Sequence, residues 1–258
     1  MIKAVFFDID GTLLSHTCCH VPHSTLKALE LLKEHGIKTF IATGRHASEM
    51  KKLPMNIDDF EGFVTLNGQY CYNKERLIFD LPIHKGDLEA MVNDLKQNRY
   101  PCIFVEEDRM YINYNDDYVQ MVQDAISTPL PEIGDMNQVG KRAVYQLIPY
   151  VTKDLEDRIL SLMPHSQPTR WHELAIDIIP AEGGKQNGIR KMLEYYAIRP
   201  EEIMAIGDGE NDLDMMEFAG ISVAMGNAVP SVKAAADYVT DDVDHDGIYH
   251  ALKHFQLI

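Results

Sequence analysis

The chain has 258 residues, 45% of them hydrophobic and 25% charged, a globular balance that excludes disordered and fibrous classes. Its 24 basic and 40 acidic residues leave a net charge of −16. No Lys/Arg block offsets that charge, which argues against nucleic acid and against an anionic membrane surface as partners.

The length suits one large domain or two moderate ones, with enough core to need no disulfide staples. The four cysteines, Cys18, Cys19, Cys71 and Cys102, include no CxxC pair, so reduced thiols and a cytoplasmic setting are expected. In chain order, Ala4–Phe7 is a continuous apolar run. It is too short for a signal peptide or a membrane span and predicts a strand buried on both faces, as in a parallel sheet. Ser24 is placed to cap a helix carrying Leu26, Leu29 and Leu32 on one side, a face widened by Ala28 and Leu31, and stopping at Gly36. Ile37–Ala42 predicts the next strand, completing a right-handed β-α-β unit. Leu66-Asn67-Gly68-Gln69 marks a tight turn between β-rich runs.

The middle of the chain has a different grammar. Helices are predicted over 87–98, 117–126 and 153–163, and strands over 102–105, 110–112, 144–148 and 171–179. That grouping suits an α+β module with an antiparallel sheet. From Lys185 the first grammar returns, with helix 185–196, strand 203–206, helix 211–219, strand 221–224, helix 230–236 and a last helix near 246–254. The fold class is therefore α/β: a Rossmann-like, doubly wound parallel sheet built from 1–81 and 181–258, with an inserted α+β cap over 82–180.

Four short segments carry candidate chemistry. Asp8-Ile9-Asp10-Gly11-Thr12 follows the first strand, where open parallel sheets bind ligands. Two carboxylates so close are costly to hold together without a cation. Thr43-Gly44-Arg45 ends the second strand and offers a hydroxyl and backbone N–H groups to a phosphoryl oxygen. Lys185 opens a helix after Gly183-Gly184 and offers a point charge to phosphate. Gly207-Asp208-Gly209-Glu210-Asn211-Asp212 follows the strand 203–206, and its acidic residues suit a hard cation such as Mg²⁺. Asp242-x-Asp244-x-Asp246-Gly247 begins like a calcium loop, but its twelfth position is Lys253, where a bidentate Glu is needed. It reads as an acidic lead-in to the last helix. P-loop, dinucleotide, zinc-protease and serine-hydrolase signatures are all missing.

Taken together and in this order, the four segments resemble the motifs of the haloacid dehalogenase-like phosphatases. Gly207 to Asp214, Val223 to Ala228, Lys233 and Ala236 to Val239 resemble its Cof-type branch, mainly bacterial phosphatases of sugar phosphates and related metabolites. Gly184-Lys185-Gln186 departs from the Ser-Lys-Gly usual there. Thr43 and Lys185 lie 142 positions apart, so the insertion resembles the family's larger cap type.

The resemblance implies a Mg²⁺-dependent phosphatase acting on a small-molecule phosphate ester. Asp8 is then the nucleophile forming an aspartyl-phosphate, and Asp10 the general acid and base, starting protonated. Asp8, the Asp10 backbone carbonyl and Asp208 would hold the metal. Thr43, Gly44, Lys185 and Asn211 would hold the phosphoryl group, with Asp212 orienting its neighbours. Arg45 and Asn67 are candidates for the cleft lining. Arg170-Trp171-His172, a cation, the only Trp and a His, are candidate contacts to the substrate from the cap. A phosphomutase of the same superfamily and a non-catalytic metal- or metabolite-binding protein are the alternative readings. A monomer or a small homo-oligomer is compatible with all of them.

Overall fold

The computed structural model describes residues 1–15, 20–126 and 128–258, with the backbone alone at Trp171. Cys18 and Cys19 lie outside the described residues, whereas Cys71 and Cys102 are buried free thiols. Burial pushes both thiols well above the usual cysteine range. No helix among the described residues is long and apolar enough to cross a membrane. The chain divides into two compact units, Met1–Asp80 with Gly184–Ile258, and Leu81–Gly183.

In the first unit, β1 (Ala4–Phe7), α1 (His23–Glu34), β2 (Lys38–Ala42), β3 (Gly62–Thr65), β4 (Tyr70–Asn73) and β5 (Leu77–Asp80) come first. The second unit contributes α2 (Lys85–Gln97), β6 (Cys102–Glu106), β7 (Met110–Ile112), α3 (Asp117–Ala125), β8 (Val144–Pro149), α4 (Lys153–Leu162), β9 (Ser166–His172) and β10 (Ala175–Pro180). The chain then completes the first unit with α5 (Lys185–Tyr196), β11 (Ile203–Gly207), α6 (Leu213–Phe218), β12 (Ile221–Ala224), α7 (Pro230–Ala235), β13 (Tyr238–Val239) and α8 (Gly247–His254).

The first sheet runs β13-β12-β11-β1-β2-β3-β4-β5. It is parallel from β13 to β3 and antiparallel at β4 and β5. Period-2 alternation explains its two-sided burial. Val5, Phe7, Ile41, Met204 and Ile206 face the layer that holds Leu29 and Leu32 of α1 and Leu252 of α8. Phe6, Phe40, Ala42 and Ala205 face Ile189 and Met192 of α5 and Met215 of α6. Phe6 and Phe40 are register partners and stack with ring centroids 4.6 Å apart.

The second unit is an antiparallel sheet, β7-β6-β8-β10-β9, with its own apolar core. Cys102, Phe104, Ile176 and Ile178 pack there with Leu88, Met91 and Leu95 of α2 and Ile159 of α4.

Three sequence expectations need correction. The single strand expected over 171–179 is a hairpin, β9 and β10, turning at Glu173-Leu174. That dipeptide carries no Gly, Asn or Pro signal. The His172 side chain serves the turn instead, its Nδ1 accepting the Leu174 N–H at 3.1 Å. Ser24 does not cap α1, because the helix begins two residues earlier than such a cap would place it, at His23 after Pro22, and the Ser24 hydroxyl is buried without a partner. The helix expected over 211–219 begins as a 3₁₀ turn, Glu210–Asp212, before α6.

The turn Leu66–Gly68 between β3 and β4 holds three left-handed residues, Leu66 and Asn67 at φ +51° and Gly68 at φ +90°. A Cβ on Gly68 would lie 2.0 Å from the Gly184 carbonyl oxygen and 3.2 Å from the Gly188 nitrogen. Gly68→Ala is expected to destabilise the protein by about 3 kcal/mol. Gly36→Ala, at φ +72° with nothing within 4 Å, should cost only about 1 kcal/mol of left-handed strain. Urea unfolding midpoints of the two variants test the difference, and equal losses would mean that the Gly184 approach is not tight.

Candidate active site

The carboxyl ends of β1, β2 and β11 open at one edge of the parallel sheet, where Asp8, Thr43 and Asp208 follow directly. Lys185 enters from the first residue of α5. Its side chain has 0% exposure, and its Nζ lies 2.6 Å from Asp8 Oδ1 and 2.5 Å from Asp212 Oδ1. A buried ammonium is tolerated only with such partners. Burial alone would lower the Lys185 pKa, but Asp212 and Asp8 outweigh it and hold the ammonium above its usual range. Burial pushes the Asp8 carboxyl up to about 8. Lys185 pulls it down, and the Asp212 and Asp208 charges add to the rise.

Asp212 is fully engaged. Its Oδ1 holds Lys185, and its Oδ2 accepts the N–H groups of Asp208 and Gly209, each at 2.9 Å. Asp208 receives Thr12 Oγ1 at 3.3 Å and Asn227 Nδ2 at 3.1 Å. Asn227 Nδ2 also donates to the Gly11 carbonyl, and its Oδ1 accepts the Val243 N–H. One amide thus fixes Asp208 relative to the β1 loop. The sequence reading did not give Asn227 a role; its signal was its place just beyond a buried strand of a parallel sheet.

Oxygens of Asp8, Asp208 and Asp212 lie within 4.8 Å of one another, a cluster able to hold a metal ion. Carboxylate donors of this kind suit a hard cation such as Mg²⁺. Because Asp212 is spent on Lys185 and two amides, Asp8 and Asp208 are the carboxylates best placed for one.

Asp10 is held differently from expectation. Arg45 donates to both of its oxygens, Nη2 at 2.5 Å and Nε at 2.8 Å. Proton donation by Asp10 requires this bidentate pair to open, and so does any use of Arg45 on a ligand.

Asn67 is the junction of three segments. Its N–H donates to the Thr43 carbonyl, its own carbonyl accepts the Gly184 N–H, and its Oδ1 accepts from Asn211 Nδ2 at 3.1 Å. Thr43 Oγ1 accepts the Arg45 N–H, and an added Cβ on Gly44 would lie 3.1 Å from Asn67 Oδ1. The unusual Gly184-Lys185-Gln186 sequence is also explained. Gly184 has no side chain to cap α5, and the Asp214 carboxylate from α6 accepts the Gln186 N–H at 2.9 Å instead.

The candidates in the second unit are engaged within that unit. Arg170 pairs with Glu156 at 2.9 Å and donates through Nη1 to the carbonyls of Val151, His172 and Glu173. This guanidinium staples β9 to its surroundings, and His172 serves the β9–β10 turn. The Trp171 side chain lies outside the described residues.

Residues 5–252 match the family described as haloacid dehalogenase-like hydrolase. YkrA of Bacillus subtilis (strain 168), by name a presumed phosphatase, is 35% identical over 99% of this chain and 98% of its own. BT1666 of Bacteroides thetaiotaomicron, described among the phosphatases of the haloalkanoate enzyme superfamily, is similar in structure with a TM-score of 0.91. It is 34% identical, over 100% of this chain and 96% of its own. The subclass IIB sugar phosphatase BT4131 gives 0.85 and 36%, over 99% of this chain and 100% of its own.

Replacing Lys185 by Met would leave Asp8 and Asp212 buried without their cation. A loss of about 3–5 kcal/mol is expected in chelator, with part of it regained when a divalent cation is added. Urea unfolding with and without the cation measures both, and unchanged stability would show that the ion triad is not closed in solution.

Proposed function

The chain belongs to the haloacid dehalogenase-like hydrolase family and is a phosphatase, and from that premise we propose a Mg²⁺-dependent hydrolysis of sugar phosphates through an aspartyl-phosphate on Asp8. The observation that carries this reading is the buried Asp8–Lys185–Asp212 triad, set beside Asp208 at the carboxyl ends of β1 and β11. The name of BT4131, a sugar phosphatase, supports the substrate class.

In this reading the Asp8 carboxylate attacks phosphorus and the bond from phosphorus to the ester oxygen breaks. Asp10 gives its proton to the departing alkoxide, then takes one from the water that attacks the acyl phosphate, so inorganic phosphate leaves and Asp8 is regenerated. Lys185 and the Thr43 hydroxyl hold phosphoryl oxygens, with Gly44 and Asn211 beside them. Mg²⁺, when bound, neutralises charge on the phosphoryl group, and Asp8, Asp208 and the Asp10 carbonyl would hold it. An arriving phosphate dianion competes for Arg45, and the Asp10 carboxylate so freed takes up a proton from solvent before it serves the leaving oxygen. Asn67 keeps the Thr43, Gly184 and Asn211 segments in register, so it acts on the phosphoryl site through its neighbours.

Phosphate release from a panel of sugar and polyol phosphates tests this. Release should need Mg²⁺ and vanish in chelator. Asp8→Asn should lower kcat by at least about 10³-fold, and Thr43→Val by about 10²-fold, the cost of one lost oxyanion donor. Sustained turnover by Asp8→Asn would overturn the nucleophile. Conversion of one sugar phosphate to its isomer without free phosphate would replace hydrolysis by transfer.

A further inference from the structure

The second unit holds a side-chain cluster that this chemistry does not use. His84 precedes α2, Asp87 lies in the first turn of α2, and His165 lies between α4 and β9. Each brings a ligand-type atom to within 4.8 Å of the other two. The Asp87 carboxylate is only 2% exposed. Its Oδ2 accepts the His165 N–H at 2.9 Å and the Ser166 hydroxyl at 3.0 Å. Its Oδ1 faces two imidazoles, 2.9 Å from His165 Nδ1 and 3.7 Å from His84 Nδ1.

A buried carboxylate needs a countercharge, and no Lys or Arg among the described residues forms an ion pair with Asp87. Two protonated imidazoles would be a poor answer, because the rings sit with centroids 4.2 Å apart and like charges at that distance repel. His84 Nδ1 also accepts the Gly86 N–H at 3.3 Å, so it carries a lone pair rather than a proton. That nitrogen lies 3.7 Å from the Asp87 oxygen, and a cation between them would take over the lone pair that the long Gly86 bond now uses.

We propose that His84, Asp87 and His165 form a zinc site separate from the phosphatase centre. Ligand atoms about 2.0–2.1 Å from a tetrahedral zinc lie about 3.4 Å apart, and the observed 2.9 and 3.7 Å straddle that spacing. Two imidazole nitrogens with one carboxylate oxygen favour zinc over Mg²⁺, which prefers oxygen alone. The His165 N–H and Ser166 hydroxyl hold the Asp87 carboxylate in orientation. The imidazoles are 56% and 60% exposed, leaving water access to the fourth position. On binding, the His165 Nδ1 proton moves by way of solvent to Nε2, so that a neutral imidazole ligates through Nδ1.

The cluster also sits where the chain enters and leaves this unit. His84 comes three residues after Leu81, where the unit begins. The His165 carbonyl accepts the N–H of Ala181, two residues before its end at Gly183. A bound zinc would tie the first helix of the unit to the segment beside its exit.

The test is a count of zinc held by the full chain after equilibrium dialysis at fixed free zinc with excess Mg²⁺ filling the phosphatase centre. One zinc per chain is expected in the wild type and in Asp208→Asn. It should be absent from the double variant His84→Gln/His165→Gln, whose replaced side chains are exposed. Zinc should raise the melting temperature of the wild type and not of the double variant, a readout that also shows whether the variant is folded. Equal zinc in the wild type and a folded double variant overturns the proposal. So does zinc that is lost on Asp208→Asn alone, or no zinc in any form. None of these readings uses turnover, so the phosphatase reading stands or falls separately.

Discussion

A lysine ammonium with no contact with water must have its charge answered within hydrogen-bond distance, and that requirement organises the first unit. Lys185 is answered by Asp8 and Asp212, which come from distant parts of the sequence. The triad can close only when β1, α5 and the turn before α6 have all reached their places. Asp212 then spends its second oxygen on the Asp208 and Gly209 amides, so the same charge balance shapes the loop that carries Asp208. The electrostatics thus reach beyond one ion pair. They couple the nucleophile candidate, the lysine that is the phosphate-binding candidate and a metal-ligand candidate into one closed arrangement.

The helices and strands that frame this arrangement were legible because their burial is simple. Ala4–Phe7 and Ile203–Ile206 are buried on both faces, and continuous apolar runs report that directly. The places of Asp8, Thr43 and Asp208 were legible because each directly follows a buried apolar run, the carboxyl end of a strand in a parallel sheet. What was hidden depends on partners far away in sequence. Nothing local to Asn227 announces a bond to Asp208, and nothing near Asp214 announces that it caps α5. Arg170 read as a candidate substrate contact with Trp171 and His172, and only the fold reveals Glu156 and three carbonyls around it. The β9–β10 hairpin was missed for a local reason, since a histidine side chain does the work usually done by a turn residue.

Asn67 shows how a residue can be flagged correctly by its turn chemistry while its structural work goes unread. Asn-Gly marks a left-handed turn, and the turn is there. The same left-handed backbone points its N–H at Thr43, its carbonyl at Gly184 and its side chain at Asn211. The strained conformation of Leu66 and Asn67 is thus located where three site segments meet.

The strand order carries a consequence for how the protein is made. β1 lies in the interior of the sheet, but one of its neighbours, β11, begins at Ile203. On the ribosome, roughly 200 residues must be added after β1 before that edge can be paired. At about 5–20 residues per second this takes some 10–40 s. During that time the apolar edge of Ala4–Phe7 is open to any other extended chain, while the second unit, whose residues are contiguous, can already be folded. The nascent chain is therefore most in need of chaperone cover at its earliest strand, long after that strand has left the exit tunnel.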